Sequence, residues 1–202
     1  MRIWIAVTIC FTLYVLGNSF ITLWVGKEFI LPQSAFIVLI FNMFISLTRT
    51  NDMFLSAYGL YQDIGAPLIE AILNLGLSIL FGYFWGLTGI LLGVSTSLFV
   101  IVCCWKPYFL YKRGFKESIK EYVCRSLKYI LVLCAFSYLC FLFFEAFLSE
   151  QNVSFPQLLL KGFIIIVLFA LCSFLILYTI DKYPKKLVKS LYCHIVKKTL
   201  NK

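Results

Sequence analysis

Long apolar runs separated by short polar segments dominate this chain. The runs cover residues 3–25, 33–60, 67–85, 87–105, 129–148 and 157–180. Each is about as long as the 20-residue α-helix that crosses roughly 30 Å of hydrocarbon, and none shows the period-two alternation of a barrel strand. Because backbone groups in lipid must be hydrogen-bonded internally, the pattern predicts an all-α, polytopic bundle of six transmembrane helices.

Composition supports a membrane protein and argues against a soluble domain. Of the 202 residues, 62% are hydrophobic and 13% are charged, whereas soluble domains average about 45–50% and about 25%. The mean hydropathy is +0.94. The formal net charge of +9 comes from basic residues that sit at segment ends, which indicates membrane topology and anionic lipid rather than nucleic acid.

Two basic segments fix the expected topology. Residues 108–128 interleave lysine and arginine with aromatic side chains, which predicts a helix lying on the membrane surface. Residues 181–202 form a lysine-rich amphipathic tail beyond the lobe of residues 1–180. Because basic loops stay in the cytoplasm, we expect both termini there, in agreement with an even number of crossings.

The candidate chemistry lies in charged residues within or beside the apolar runs. Arg49 and Asp52 are three residues apart, close enough for an ion pair within one helix. That pair either neutralises itself and holds helices together, or leaves Arg49 to bind an anion from a cavity. Glu70 is either an acid in the first turn of a helix, favoured by the helix dipole, or, like Asp52, a group that carries a coupling ion.

Further polar and small residues complete the candidate set. Asn42, Asn51 and Asn74 are candidates to bind substrate or backbone groups. Gly89, Gly93 and Ser97 recur every four residues, a spacing that lets two membrane helices approach closely. The eight cysteines show no CxxC pair or Cys/His ligand spacing, so no metal and no cofactor is predicted. No catalytic set of nucleophile and base stands out either.

Five stretches follow one another along the chain in a recognisable order. They are Leu23-Trp24-Val25-Gly26, Gly59-Leu60-Tyr61-Gln62-Asp63, Ala66-Pro67-Leu68-Ile69-Glu70-Ala71-Ile72-Leu73-Asn74-Leu75 with Ser78, Gly86-Leu87-Thr88-Gly89-Ile90-Leu91-Leu92-Gly93, and Trp105-Lys106-Pro107-Tyr108 with Tyr111. Together they resemble bacterial polysaccharide and O-antigen flippases of the multidrug/oligosaccharidyl-lipid/polysaccharide exporter superfamily. Their order and spacing carry the resemblance more than any single motif does.

The resemblance covers about half of a family member and is to its C-terminal lobe. It implies one six-helix lobe of a MATE-like fold in the bacterial inner membrane, completed by a separate N-terminal lobe. It also implies transport of an undecaprenyl-pyrophosphate-linked oligosaccharide for cell-surface polysaccharide. Two alternatives remain open, namely a non-transporting scaffold or partner subunit of a split transporter, and an integral-membrane enzyme of polysaccharide assembly.

Overall fold

Helices make up the fold of the residues that the structure describes. The computed structural model describes residues 2–60, 65–148 and 155–180. Its α-helices are α1 (Arg2–Trp24), α2 (Gln33–Leu47), α3 (Asn51–Ala57), α4 (Gly65–Leu98), α5 (Lys106–Phe109), α6 (Lys120–Leu148) and α7 (Phe155–Ile180). Lys27–Phe29 form a 3₁₀ turn, and Phe99–Trp105 and Leu110–Phe115 are π-helical. The prediction of an all-α chain is therefore confirmed for the described part.

Five helices in that part are long and apolar enough to cross a membrane. They span Arg2–Trp24, Gln33–Ala57, Gly65–Phe115, Lys120–Phe143 and Phe155–Thr179. Many of their large apolar side chains, among them Trp24, Tyr83 and Phe143, are exposed on the outside of the bundle. Such a surface is typical of helices that face lipid, because soluble proteins rarely expose wide apolar patches.

The longest of these helices doubles back at Gly86. This residue has φ 55° and ψ −134°, a left-handed conformation that glycine adopts most readily. In a straight helix Ser78 and Gly93 would lie roughly 22 Å apart, yet a Cβ on Gly93 would collide with the Ser78 backbone. The Ser78 hydroxyl also donates to the Ile90 carbonyl at 3.1 Å. Residues 65–85 and 87–98 are therefore two antiparallel arms of a hairpin, here called the first and second arm.

Two apolar clusters hold the helices together. In the first, Phe11 of α1 stacks on Phe169 of α7 at 4.1 Å between ring centroids, and Leu133 of α6 is buried beside them. In the second, Ile45 of α2 packs against Leu98, the last residue of the second arm, and against Val102 just beyond it. Contacts between α1 and α2 join these clusters.

The structure divides two predicted segments differently from the sequence pattern. The predicted span 33–60 is interrupted after Leu47, so α2 and α3 are separate helices. The predicted surface helix 108–128 is split, because residues up to Phe115 continue from the second arm and residues from Lys120 already belong to α6. A left-handed residue, Lys116 (φ 56°), ends the first of these pieces. The long basic run thus contains a chain reversal that composition alone does not reveal.

Some predicted features lie outside the described residues. These are Tyr61, Gln62 and Asp63 of the resemblance, residues 149–154 between the last two apolar runs, and the basic tail 181–202.

We predict that Gly93→Ala opens the hairpin and lowers the stability of the folded protein by about 1–3 kcal/mol, as overpacking does. Gly76→Ala is the matched control in the same hairpin, because nothing lies within 4 Å of its Cβ position. It should leave the protein as stable or about 0.5–1 kcal/mol more stable. Thermal unfolding in detergent, followed by circular dichroism, measures both. Equal melting temperatures for the two variants would contradict the close approach of the arms.

Candidate functional site

Arg49 lies in the turn between α2 and α3. Thr48 on one side donates its hydroxyl to the carbonyls of Phe44 and Ile45, each at 3.0 Å. Thr50 on the other side donates to the Thr48 carbonyl at 3.2 Å. These bonds lie where the helix is interrupted, between Leu47 and Asn51. The Arg49 side chain leaves this turn towards α3 and α4.

Two carboxylates bind the Arg49 guanidinium. Its Nε donates to Asp52 Oδ2 at 3.1 Å, and its Nη2 lies 3.2 and 3.1 Å from the two carboxylate oxygens of Glu70. Asp52 is one turn away in α3, whereas Glu70 comes from the first arm of the hairpin. Charge-assisted bonds of this kind are stronger than neutral ones. Arg49 is thus bound both within its own segment and across to a neighbouring helix.

Lys106 supplies the second cation of the site. Its Nζ lies 2.7 Å from Asp52 Oδ1, and its side chain is only 8% exposed. Lys106 opens α5, directly after the π-helical segment that continues the second arm. Because the hairpin brings its two ends together, a residue at position 106 reaches the same region as Glu70. Arg49, Asp52, Glu70 and Lys106 are named the charge cluster below.

The charge cluster is electrically balanced, with two cations and two carboxylates. Side-chain exposure is 32% for Arg49, 38% for Asp52 and 15% for Glu70. Removing one partner of such a group leaves a partly buried charge without its counter-charge, which destabilises the fold. The cluster therefore fixes how α3, the first arm and α5 meet.

The charge cluster lies at the end of the bundle where α1 begins. The Arg2 guanidinium donates to the Arg49 carbonyl at 3.3 Å and lies 2.8 Å from the Met53 sulfur. Arg2 itself is exposed. Arg49 also follows the end of α2, 16 residues after Gln33. At the helical rise this corresponds to about 24 Å, most of the way across roughly 30 Å of hydrocarbon. These charges are consequently near one mouth of the bundle and not at its middle.

Two of the three asparagines predicted as binding residues bond away from the charge cluster. Asn42 donates to the Leu91 carbonyl at 3.1 Å and accepts the Ser95 hydroxyl at 2.6 Å, so both ends of its amide tie α2 to the second arm. Asn74 accepts the Ser78 hydroxyl at 3.2 Å within the first arm. Asn51 is buried at the start of α3, directly before Asp52 of the cluster.

The small residues predicted to pack helices lie along the second arm. Gly89 sits against the Phe81 carbonyl and Gly93 against Ser78, with no room for a side chain at either position. Ser97 is fully buried and donates to the Val94 carbonyl at 2.9 Å. The two glycines therefore face the other arm of their own hairpin.

Lys106 is the member of the site that the sequence pattern does not single out, because it directly follows the apolar run 87–105 and precedes Pro107. A charge balance is the available signal, because Arg49, Asp52 and Glu70 together carry one net negative charge. One further cation balances that charge, and Lys106 is the only basic residue between Glu70 and Tyr111.

Comparison with protein-family models, with curated proteins and with solved structures finds no match to this chain.

We predict that Lys106→Met lowers stability by about 1–3 kcal/mol, because it leaves Asp52 with one cation in place of two. The double variant Lys106→Met with Asp52→Asn should recover much of that loss, giving a coupling energy of about 0.5–3 kcal/mol. Melting temperatures in detergent are measured for the parent chain, the two single variants and the double variant, which form a double-mutant cycle. Lys120→Met is the control at an exposed lysine. Strictly additive effects would show that Lys106 and Asp52 do not interact.

Proposed function

We propose that this chain is one lobe of a flippase for lipid-linked oligosaccharide in the bacterial inner membrane. The observation that carries the proposal is the charge cluster, because an arginine in an otherwise apolar bundle usually serves substrate or ion movement. The sequence resemblance to polysaccharide flippases supplies the substrate class. The lobe would belong to a MATE-like transporter that handles an undecaprenyl-pyrophosphate-linked glycan.

The hairpin supports six membrane crossings in this proposal. Its first arm has 21 residues, enough to cover roughly 30 Å at 1.5 Å per residue. When the first arm crosses the membrane once, and the second arm together with its continuation to Phe115 crosses once, the five long helices provide six crossings, and both termini lie on the same side. The basic segments assign that side to the cytoplasm. The charge cluster then lies at the cytoplasmic mouth, where a lipid-linked glycan made inside the cell first arrives.

Arg49 is the group that would bind the pyrophosphate. Its guanidinium suits phosphate oxygens, and here it is held ready by two carboxylates that a pyrophosphate can replace. Glu70 or Asp52 carries the coupling proton or cation in this proposal. An ion held by Glu70 replaces Arg49 as the partner of that carboxylate, so Arg49 becomes available to the substrate while Lys106 keeps Asp52 paired.

A partner lobe would complete the transport path. The first arm, which carries Glu70, exposes an outer row of apolar residues at helical spacing, including Leu68, Ile72, Leu75 and Ile79. This row provides a surface on which a second lobe can pack. The N-terminal lobe expected from the resemblance is the partner in this proposal.

A non-transporting membrane scaffold is the second candidate. The observation in its favour is the electrical balance of the charge cluster, because each ion in it already has a partner of opposite sign. In a scaffold, Arg49 would only join α3 to the first arm. Loss of Arg49 would then reduce stability without any effect on glycan movement.

Transport by this chain, reconstituted together with an N-terminal flippase lobe that completes the path, tests the flippase proposal. Proteoliposomes loaded with lipid-linked oligosaccharide are exposed to an external lectin, which reports glycan that has crossed the bilayer. We expect Arg49→Gln to reduce the rate by at least about tenfold, equivalent to roughly 1.4 kcal/mol, while Arg49→Lys retains part of it. Lys27→Gln, at an exposed lysine far from the cluster, should transport as the parent chain does.

Other outcomes of the same assay separate the candidates. In the flippase, Glu70→Gln should remove the dependence of the rate on the gradient of the coupling ion, which is measured with a proton gradient and with a Na⁺ gradient. A parent chain that moves no glycan, together with an Arg49→Gln variant that is merely less stable, would favour the scaffold. A covalently altered glycan, detected by mass spectrometry, would favour the enzyme.

A further inference from the structure

A groove of about 570 Å³ opens at the base of the hairpin. This volume is within the roughly 300–1,000 Å³ range of small-molecule sites. Its lining is Gly65, Ala66, Ile69, Val100, Ile101, Cys104, Trp105, Tyr108, Phe109 and Arg113. Lys106, which turns to Asp52, is absent from this lining, so the groove is separate from the charge cluster.

Small residues and wide helical turns create the groove. The first arm contributes Gly65 and Ala66 at its start, and nothing lies within 4 Å of a Cβ position on Gly65. The opposite wall is formed by the π-helical segments Phe99–Trp105 and Leu110–Phe115 on either side of α5. Such π-helical insertions are frequent at functional sites. Together they leave an elongated apolar channel that side chains do not fill.

Cations and amphipathic aromatic residues gather at one end of the groove. The Arg113 guanidinium lies 5.2 Å from the centroid of the Phe109 ring. The neighbouring Lys112 ammonium lies 5.2 Å from the Tyr108 ring centroid and donates to the Tyr108 hydroxyl at 3.0 Å. Tryptophan and tyrosine, here Trp105 and Tyr108, are the residues that favour the headgroup level of a bilayer. The groove therefore has an apolar length and a cationic, interfacial end.

We propose that this groove binds one anionic phospholipid, with an acyl chain along the apolar walls and the phosphate against Arg113 and Lys112. Basic pockets between membrane helices on the cytoplasmic side are the usual location of such lipids. The segment 112–121 holds four basic and two acidic residues, so its net charge also favours an anionic headgroup. This site goes beyond the proposed function, because it requires neither Arg49 nor a glycan.

Trp105 provides a direct probe of occupancy. The purified full chain is placed in phosphatidylcholine nanodiscs that contain increasing fractions of dibrominated phosphatidylglycerol or dibrominated phosphatidylcholine. Bromine on the acyl chain quenches a tryptophan in contact with it. The difference between the parent chain and Trp105→Phe isolates the Trp105 signal. We expect half-quenching at a several-fold lower mole fraction of the brominated phosphatidylglycerol.

Charge variants decide whether the groove selects an anion. Arg113→Gln should abolish the several-fold preference, whereas Arg113→Lys should retain most of it. Lys120→Gln is the matched control, with the same loss of charge at an exposed lysine outside the groove. Cys104→Phe fills the groove and should reduce quenching by both lipids. Unchanged melting temperatures verify that the variants are folded.

Three outcomes would overturn the proposal. The first is equal quenching by the two brominated lipids, which indicates ordinary contact with bulk lipid. The second is a preference that survives in Arg113→Gln. The third is displacement of the brominated phosphatidylglycerol by undecaprenyl phosphate but not by unlabelled phosphatidylglycerol, which would assign the groove to an isoprenoid chain.

Discussion

The cost of placing charge in apolar surroundings determines how this bundle is arranged. Four unpaired charges at the centre of a bilayer would together cost roughly 10–14 kcal/mol on insertion scales. That is comparable to the whole stability of a typical domain, about 5–15 kcal/mol. Here Arg49 pairs with both Asp52 and Glu70, and Lys106 pairs with Asp52, at one mouth of the bundle and not at its middle. The segments that carry these residues must therefore meet at the same end of the bundle.

The reversal at Gly86 is what makes that meeting possible. Glu70 and Lys106 are 36 positions apart, yet the antiparallel arms return the chain to the level at which it started. The arms approach closely because Gly89 and Gly93 present no side chain to the opposite backbone. A continuous helix would instead separate Glu70 and Lys106 by roughly 54 Å. The left-handed glycine, the small residues and the ion pairs are thus parts of one arrangement.

Adjacent residues at the end of the second arm serve two surfaces. Lys106 turns inwards to Asp52, while Cys104, Trp105 and Tyr108 line the groove on the other side. In the proposals above, the inner surface binds a pyrophosphate and the outer surface binds a membrane phospholipid. The π-helical segment Phe99–Trp105 leads directly into α5, which carries Lys106 and Tyr108. A change in the geometry of that segment would therefore alter both surfaces together.

The sequence alone determined the helical class and the apolar segments, because hydrophobic length and composition are local properties of the chain. It also identified Arg49, Asp52 and Glu70 as unusual, since charge within an apolar run is visible without any structure. Only the tertiary structure decided that Lys106 joins them and that Asn42 ties two helices together instead of facing the charge cluster. Those outcomes depend on contacts between residues far apart in the chain, which periodicity does not encode. Similarly, the break at Arg49 and the reversal at Lys116 depend on individual backbone angles and local hydrogen bonds, so composition placed continuous helices there.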